Sequence, residues 1–264
     1  MDIIVCIKQV PETTEVKINP ETNTLIREGV PSIINPFDEN AIEEALRLRE
    51  KNGGKVTVIT MGPPQAESAL RQALAMGVDD VYLITDRAFA GSDTLATSYA
   101  LSSAIKKLAP NGEYLVICGK QAIDGDTAQV GPGIAEWIDL SQVTFAVKVE
   151  LLEDKKTLKV ERMLEEANEL VTCPLPALIT VVKQINDPRP PSLKGMMRAK
   201  KAEIKKMTAA DMGADVAKLG LNGSPTWVKK IFTPPHKEGG EKMTGSAEEL
   251  VNRVIEKLKA RQLV

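Results

Sequence analysis

The stretch Gly119 to Pro132, G-K-Q-A-I-D-G-D-T-A-Q-V-G-P, limits what this chain can fold into more than any other segment. It follows the apolar run Tyr114 to Cys118, which reads as a buried strand. It precedes helical spacing from about Ala128 to Ile138. A loop running from a strand's carboxyl end to a helix's amino end is where open α/β sheets bind ligands. The first turn of a helix has backbone N–H groups without partners, and its dipole favours an anion. The stretch therefore points to a phosphate, and so to a nucleotide-containing cofactor.

The residues before it alternate between two periods. Ile3 to Ile7, Lys55 to Thr60 and Val81 to Ile84 are short, β-branched-rich runs of the kind buried on both faces of a parallel sheet. Between them, Asn35-Pro36-Phe37-Asp38 opens a helix, with Asn as cap and Pro at the first position. Ala66 to Ala75 and Asp93 to Leu108 give two more helices. Strand–helix alternation at this spacing predicts an α/β fold with a parallel sheet and right-handed crossovers. Val16 to Ile18 and Thr24 to Ile26 are spaced for a small hairpin.

After about Gln142 the pattern changes. Thr144 to Leu152 and Thr157 to Leu164 alternate around Glu153-Asp154-Lys155-Lys156, which reads as an added β-hairpin. Ala177 to Val182 is one more apolar strand, and the core is expected to end there. Asn186 to Lys194 carries three prolines and excludes regular structure. The remainder, through an amphipathic helix at Ser246 to Arg261, reads as an arm too poor in apolar residues to bury itself, and so as one that docks on a partner.

Composition removes several functions. The single histidine, His236, leaves His-based metal sites and triads unsupplied. Cys6, Cys118 and Cys173 are far apart in the sequence, so no zinc or redox spacing exists. A net charge of -2 gives no pull toward nucleic acid. No apolar run approaches the ~20 residues of a membrane span. The opening Met1-Asp2-Ile3-Ile4-Val5 is a strand pattern and not a signal peptide, so a cytoplasmic location is expected.

Several segments, in order, resemble the beta subunit of electron transfer flavoproteins. They are Val5 to Pro11 (V-C-I-K-Q-V-P), Ile34 to Glu39 (I-N-P-F-D-E), Thr60 to Ala66 (T-M-G-P-P-Q-A), Ala73 to Asp79 and G-K-Q-A-I-D-G-D-T. Val160 to Glu166, Pro176 to Val181 and Asp187 to Lys201 extend the set over essentially the whole chain. The resemblance implies a Rossmann-like sheet with flanking helices, the added hairpin and an extended C-terminal arm. Residues 1–185 would form the nucleotide-binding domain, and 186–264 a partner-recognition loop and an arm around an alpha subunit. It implies a heterodimer whose alpha subunit carries one FAD. The beta subunit would hold AMP in conventional members, or a second FAD in electron-bifurcating members that oxidise NADH.

Carried over by position, cofactor contacts fall on Cys6, on Asn35, Pro36, Phe37 and Asp38, and on Met61. The others are Gly119, Lys120, Gln121, Ala122, Ile123, Asp124, Gly125, Asp126, Thr127, Ala128, Gln129 and Val130. Thr85 to Ser98 and Leu219 to Thr226, followed by Phe232-Thr233-Pro234, resemble the bifurcating branch, which adds Asp93 and Thr94. The small residues of Ala90 to Thr94 would leave room for a flavin ring, and Gly62, Pro63 and Pro64 would let NADH approach. Electrons would then divide between an acyl-CoA dehydrogenase-type flavoprotein, through the alpha-subunit FAD, and ferredoxin or flavodoxin. The matching leucine of the family's recognition loop is Leu193.

Each feature has a plainer reading. Asp124 and Asp126 suit turn or cap roles better than acid–base work, since two carboxylates beside a phosphate repel it unless turned away. The amides of Gly125 to Ala128 and the Thr127 hydroxyl are the expected phosphate ligands. Cys118 and Met61 serve either packing or the apolar face of an adenine. Arg162 reads as a surface charge. No catalytic side chain and no metal are expected. An AMP-holding subunit without redox work is the alternative; an ATP-pyrophosphatase is not, because Lys8-Gln9-Val10-Pro11 is no Ser-Gly-rich loop.

Overall fold

The structure, a computed structural model, describes residues 1–12, 31–109, 112–229 and 239–264. The expected hairpin at 16–26 and the segment 232–234 lie outside the described residues. The chain divides into two compact units, Met1–Lys229 and Lys230–Val264.

The first unit is built on a nine-stranded sheet. Chain order gives β1 (Asp2–Cys6), β2 (Gln9–Pro11), β3 (Ser32–Ile34), β4 (Val56–Met61), β5 (Asp80–Ile84) and β6 (Tyr114–Gly119). It continues with β7 (Ser141–Leu151), β8 (Thr157–Met163), β9 (Asn168–Pro174), β10 (Ala177–Val181) and β11 (Lys205–Met207). The helices are α1 (Pro36–Asn52), α2 (Glu67–Met76), α3 (Thr94–Leu108), α4 (Val130–Trp137), α5 (Leu193–Lys201) and α6 (Ala209–Met212). The sheet order is β11-β5-β4-β1-β6-β10-β7-β8-β9, while β2 and β3 pair separately. The strands from β11 to β7 run parallel, and β8 and β9 add antiparallel.

Alternation along the strands explains the layers. Ile3 and Val5 face a core shared with Ile42 and Leu46 of α1 and Leu70 and Leu74 of α2. Ile4 and Cys6 face the opposite core, with Leu101 and Ile105 of α3 and Ile134 of α4. Ile42 and Leu46 are fully buried, each contributing about 2 kcal/mol by removal of apolar surface from water. Truncating Leu46 to alanine would cost roughly 2–5 kcal/mol.

Two differences from the expected pattern have physical causes. The hairpin forms as β7 and β8, but β9 adds a third strand. Its burial pattern is mostly exposed, so hydrophobic alternation did not mark it. The sheet also continues past Val182: β11 pairs with β5, and α5 packs on α2. A strand of sequence Lys-Lys-Met is too short and polar to reveal itself, although its Met207 is buried. Gly195 of α5 approaches so closely that a Cβ there would lie 2.1 Å from the Ala75 carbonyl oxygen.

The second unit contains α7 (Ala247–Ala260), which opens on a capping box. The Ser246 hydroxyl accepts the Glu249 amide, and the Glu249 carboxylate accepts the Ser246 amide at 2.9 Å. Among the described residues no helix is long and apolar enough to cross a membrane.

Candidate functional site

The chain leaves β1 toward β4 and β5 on one side and returns to β6 on the other, so the topological switch point lies between β1 and β6. Ligands of open α/β sheets bind outside the carboxyl ends of the strands at such a point. Cys6 and Cys118 are register partners there. The hydrogen bond with Cys6 and burial push the Cys118 thiol well above its ordinary range, so it stays a neutral packing group.

Asn35 and Asp38 build the crevice by an unexpected route. Asn35 stands at the cap position of α1, but its side chain makes no cap bond. Its Nδ2 donates instead to the Gln121 carbonyl at 2.8 Å, and its Oδ1 accepts the Ile123 amide at 3.1 Å. Asp38 Oδ2 accepts the Lys8 amide at 2.7 Å, and its Oδ1 accepts the Gly119 amide at 3.2 Å. One helix start thereby holds both the exit of β1 and the loop after β6. Burial pushes the Asp38 carboxyl up to about 7, against the lowering effect of those hydrogen bonds. Gly119 is required there, because a Cβ would lie 2.2 Å from Asp38 Oδ1 and 2.7 Å from the Phe37 Cβ.

The loop from Gly119 to Gln129 has its acids turned to structural work. Lys8 Nζ binds Asp124 at 2.7 Å, and Gln121 Nε2 donates to Asp126 Oδ1 at 2.7 Å. The amides of Gly125 and Asp126 both donate to the Ala122 carbonyl, which corrects the expectation that they serve a phosphate. Those of Thr127, Ala128 and Gln129 have no acceptor among the described residues. Asp126 and Ala128 adopt φ of 50° and 54°, a region that L-residues rarely occupy and that clusters at functional sites. Turned amides of this kind form concave anion sites. Helix α4 then starts at Val130, with Gly131 so close to β10 that a Cβ would lie 2.6 Å from the Thr180 Cγ2.

The start of α3 joins the same crevice. Thr94 Oγ1 donates to Gln129 Oε1 at 2.9 Å. Asp93 caps α3 through the Leu95 and Ala96 amides. Its other oxygen accepts the Thr226 amide at 3.1 Å and hydroxyl at 2.7 Å, and its own amide donates to Ser224 Oγ at 2.8 Å. Burial pushes its carboxyl up, but these bonds more than offset it, and Asp93 stays below the ordinary range. The segment 219–226 thus lies as a strap on the 90–94 loop. Leu221 takes up the space over Gly91, where a Cβ would meet its side chain at 2.6 Å. Part of the room expected for a flavin ring in that loop is therefore occupied by the chain itself.

The other expected residues are placed as follows. Met61 ends β4, one strand from β1, and the amide of Gly62 just after it donates to the Ile84 carbonyl. Pro63 and Pro64 lead into a short 3-10 turn beside them. Leu193 is 73% exposed, at the first position of α5 and away from the crevice strands. Arg162 is not a plain surface charge: its Nη2 donates to Thr144 Oγ1 at 2.8 Å, and its buried Nε has no acceptor among the described residues. Lys8, Leu221, Ser224 and Thr226 complete the site; the last three lie in the Leu219 to Thr226 segment that resembles the bifurcating branch, but only the folded contact between distant segments shows what they touch.

These residues suit a phosphate-bearing nucleotide. Three consecutive amides without an acceptor among the described residues precede a helix start, the nearby acids are paired with or turned to neighbours, and Met61 is a partly exposed apolar side chain beside the buried Cys6 and Cys118. Among the described residues no cluster could hold a metal ion.

Residues 22–212 match the family model described as electron transfer flavoprotein domain. The chain is 57% identical to an electron transfer flavoprotein subunit beta of Thermoanaerobacterium thermosaccharolyticum, over the whole of both chains. It is 49% identical to a protein of the same description from Megasphaera elsdenii, again covering both chains fully. It is 48% identical, at full coverage of both, to the caffeyl-CoA reductase-Etf complex subunit CarD of Acetobacterium woodii. The chain belongs to the electron transfer flavoprotein family, as one of its beta subunits.

Proposed function

We propose that this chain holds the AMP portion of an FAD in the crevice between β1 and β6, as the beta subunit of an electron-bifurcating heterodimer. The observation that carries the reading is the run of free amides at Thr127, Ala128 and Gln129, ending at the α4 start beside Thr94. In this reading those amides, the Thr127 hydroxyl and the α4 dipole bind the diphosphate. Asn35 and Asp38 fix the loop, and Cys6, Cys118 and Met61 line the adenine.

A bound flavin would supply the redox chemistry, taking hydride from NADH and releasing electrons singly; the protein supplies position and electrostatics. Gly62, Pro63 and Pro64, at the end of β4, leave the approach for NADH. Asp93 holds the strap 219–226 over the 90–94 loop, so the two segments that resemble the bifurcating branch meet in one place. The alpha subunit carries the second FAD, with an acyl-CoA dehydrogenase-type flavoprotein and ferredoxin or flavodoxin as acceptors. The name of the Acetobacterium relative, a subunit of a caffeyl-CoA reductase complex, supports an acyl-CoA-type partner. Leu193 is the docking anchor for that partner, and the arm at the chain's end engages the alpha subunit.

The other reading is a conventional beta subunit that holds AMP. The side chain of Leu221 over Gly91 favours it, since it takes space that a larger ligand would use. Purifying the heterodimer and counting nucleotides separates the two. Two FAD and no AMP support the proposal; one FAD and one AMP overturn it in favour of the conventional type.

A further inference from the structure

The proline-braced loop before α5 is tied to α1 at two levels. Asn186 Nδ2 donates to the Asn40 carbonyl and to Glu44 Oε2, both at 3.1 Å, and Asn40 Nδ2 donates to the Asn186 carbonyl at 2.8 Å. Then Arg189, between Pro188 and Pro190, grips two glutamates. Its Nε donates to Glu43 Oε2 at 2.7 Å, and its Nη2 to Glu43 Oε1 at 3.2 Å and Glu50 Oε2 at 3.0 Å. Its own backbone amide also donates to Glu43, at 3.2 Å. Glu43 is 2% exposed and its Oε1 also accepts Arg47 Nε at 2.6 Å, so two guanidinium groups compensate its charge; it is the planar fork of Arg189 that spans Glu43 and Glu50 in one fixed direction. On the far side of the loop the Ser192 amide donates to the Ala75 carbonyl, and its hydroxyl caps α5.

Leu193 follows directly, with its side chain in solvent although the backbone on both sides of it is fixed. An exposed apolar side chain on a pre-ordered loop loses little conformational freedom when it is bound. The second carboxylate, Glu50, is half-exposed, so its pairing adds little to stability and chiefly fixes the direction of the Arg189 side chain.

We propose that Arg189 is a positioning residue for partner docking: its fork on Glu43 and Glu50 sets the loop in the conformation that presents Leu193. The inference rests on the reading of Leu193 as the docking anchor. It assigns to an ion pair away from the crevice a role in the affinity for the dehydrogenase-type partner and none in nucleotide binding.

The test uses the intact heterodimer with its flavin and measures electron exchange with the partner flavoprotein as a function of partner concentration. Arg189→Lys keeps the charge and loses the fork. The expected result is a rise in KM for the partner of about tenfold, with kcat and bound nucleotide unchanged. Leu193→Ala is expected to raise KM as well, and Arg189→Lys added to it to cost little more, because the anchor it positions is gone. A purely stabilising ion pair would instead lower Tm and leave KM alone, and that outcome overturns the inference. Additive effects of the two substitutions overturn it too. If Leu193→Ala leaves KM unchanged, the docking reading itself is lost and the inference with it. A Leu193 effect without an Arg189 effect removes the inference alone. Should Arg189→Lys assemble poorly, Glu50→Gln, which removes only the outer half of the fork, is expected to raise KM about threefold, and no rise overturns the inference.

Discussion

The carboxylate of Asp38, in the first turn of α1, accepts the backbone amide of Gly119 at 3.2 Å, so a helix that follows β3 fixes where the loop after β6 begins. The same group binds the Lys8 amide after β1. Both strands of the switch point are therefore tied to one buried acid.

That acid makes stability depend on pH. Burial raises Asp38 from an ordinary 3.8 to about 7, so the folded chain holds the proton more tightly than the unfolded one. The sign follows: its contribution is fully present below about pH 4 and is lost as pH rises through 7. The whole effect is on the order of 4 kcal/mol. Asp38→Asn carries no titration, so the difference in unfolding free energy between the two proteins should change steadily between pH 4 and 7. Urea titrations at several pH values check this, and a constant difference would sink it.

Asn35→Ala should weaken nucleotide binding more than it weakens the fold. The substitution leaves the Ile123 amide and the Gln121 carbonyl without their side-chain partner, at a cost of roughly 1–3 kcal/mol. The lost bonds pin the loop after β6 and no strand, so, on the proposed function, nucleotide affinity should fall about tenfold or more while Tm moves by a few degrees. Calorimetric titration with AMP and with FAD reads this directly; unchanged affinity would remove Asn35 from the site.

Asp93 separates a cap from a clasp. Asp93→Ala loses the α3 cap and the Thr226 bonds together, for about 1–2 kcal/mol or more. Asp93→Ser restores a capping oxygen but cannot reach Thr226 as well. The expected outcome is near-native stability with a strap that is cut faster by protease between 213 and 229. Equal cutting in the Ser variant and the parent would show that the strap is held by packing, through Leu221, and not by Asp93.

The parallel sheet and the crevice could be read in the sequence because both depend on local pattern. Tyr114 to Cys118 is apolar on both faces, and the Gly-rich loop after it admits few alternatives. The helix start at Pro36 is marked by its Asn-Pro opening, although Asn35 turns its side chain elsewhere, whereas the Asp93 cap of α3 shows only in the structure. What could not be read depends on contacts between distant segments. Lys8 meets Asp124, 116 positions away, and Thr226 meets Asp93 across 133. No periodicity connects such pairs. The polar strand β11 and the exposed strand β9 were missed for a related reason: what places them is backbone pairing with a neighbour and not a hydrophobic face of their own.

Gly131 and Thr180 set how closely α4 approaches the sheet, and they should behave as a pair. A Cβ at Gly131 would lie 2.6 Å from the Thr180 Cγ2, whereas its other neighbours, Leu178 and Cys118, are at ordinary contact distances of 3.6 and 3.7 Å. Gly131→Ala should therefore destabilise by about 1–3 kcal/mol through overpacking, pushing the α4 start and the loop before it outward. Thr180→Ser removes the clashing methyl and keeps the hydroxyl that accepts the Phe145 amide at 3.0 Å. Combined, the two substitutions should recover most of the stability and nucleotide affinity that Gly131→Ala loses, a coupling of 1 kcal/mol or more by the usual size of such pairs. Simple additivity in a double-mutant cycle would mean that α4 is positioned by something other than this contact.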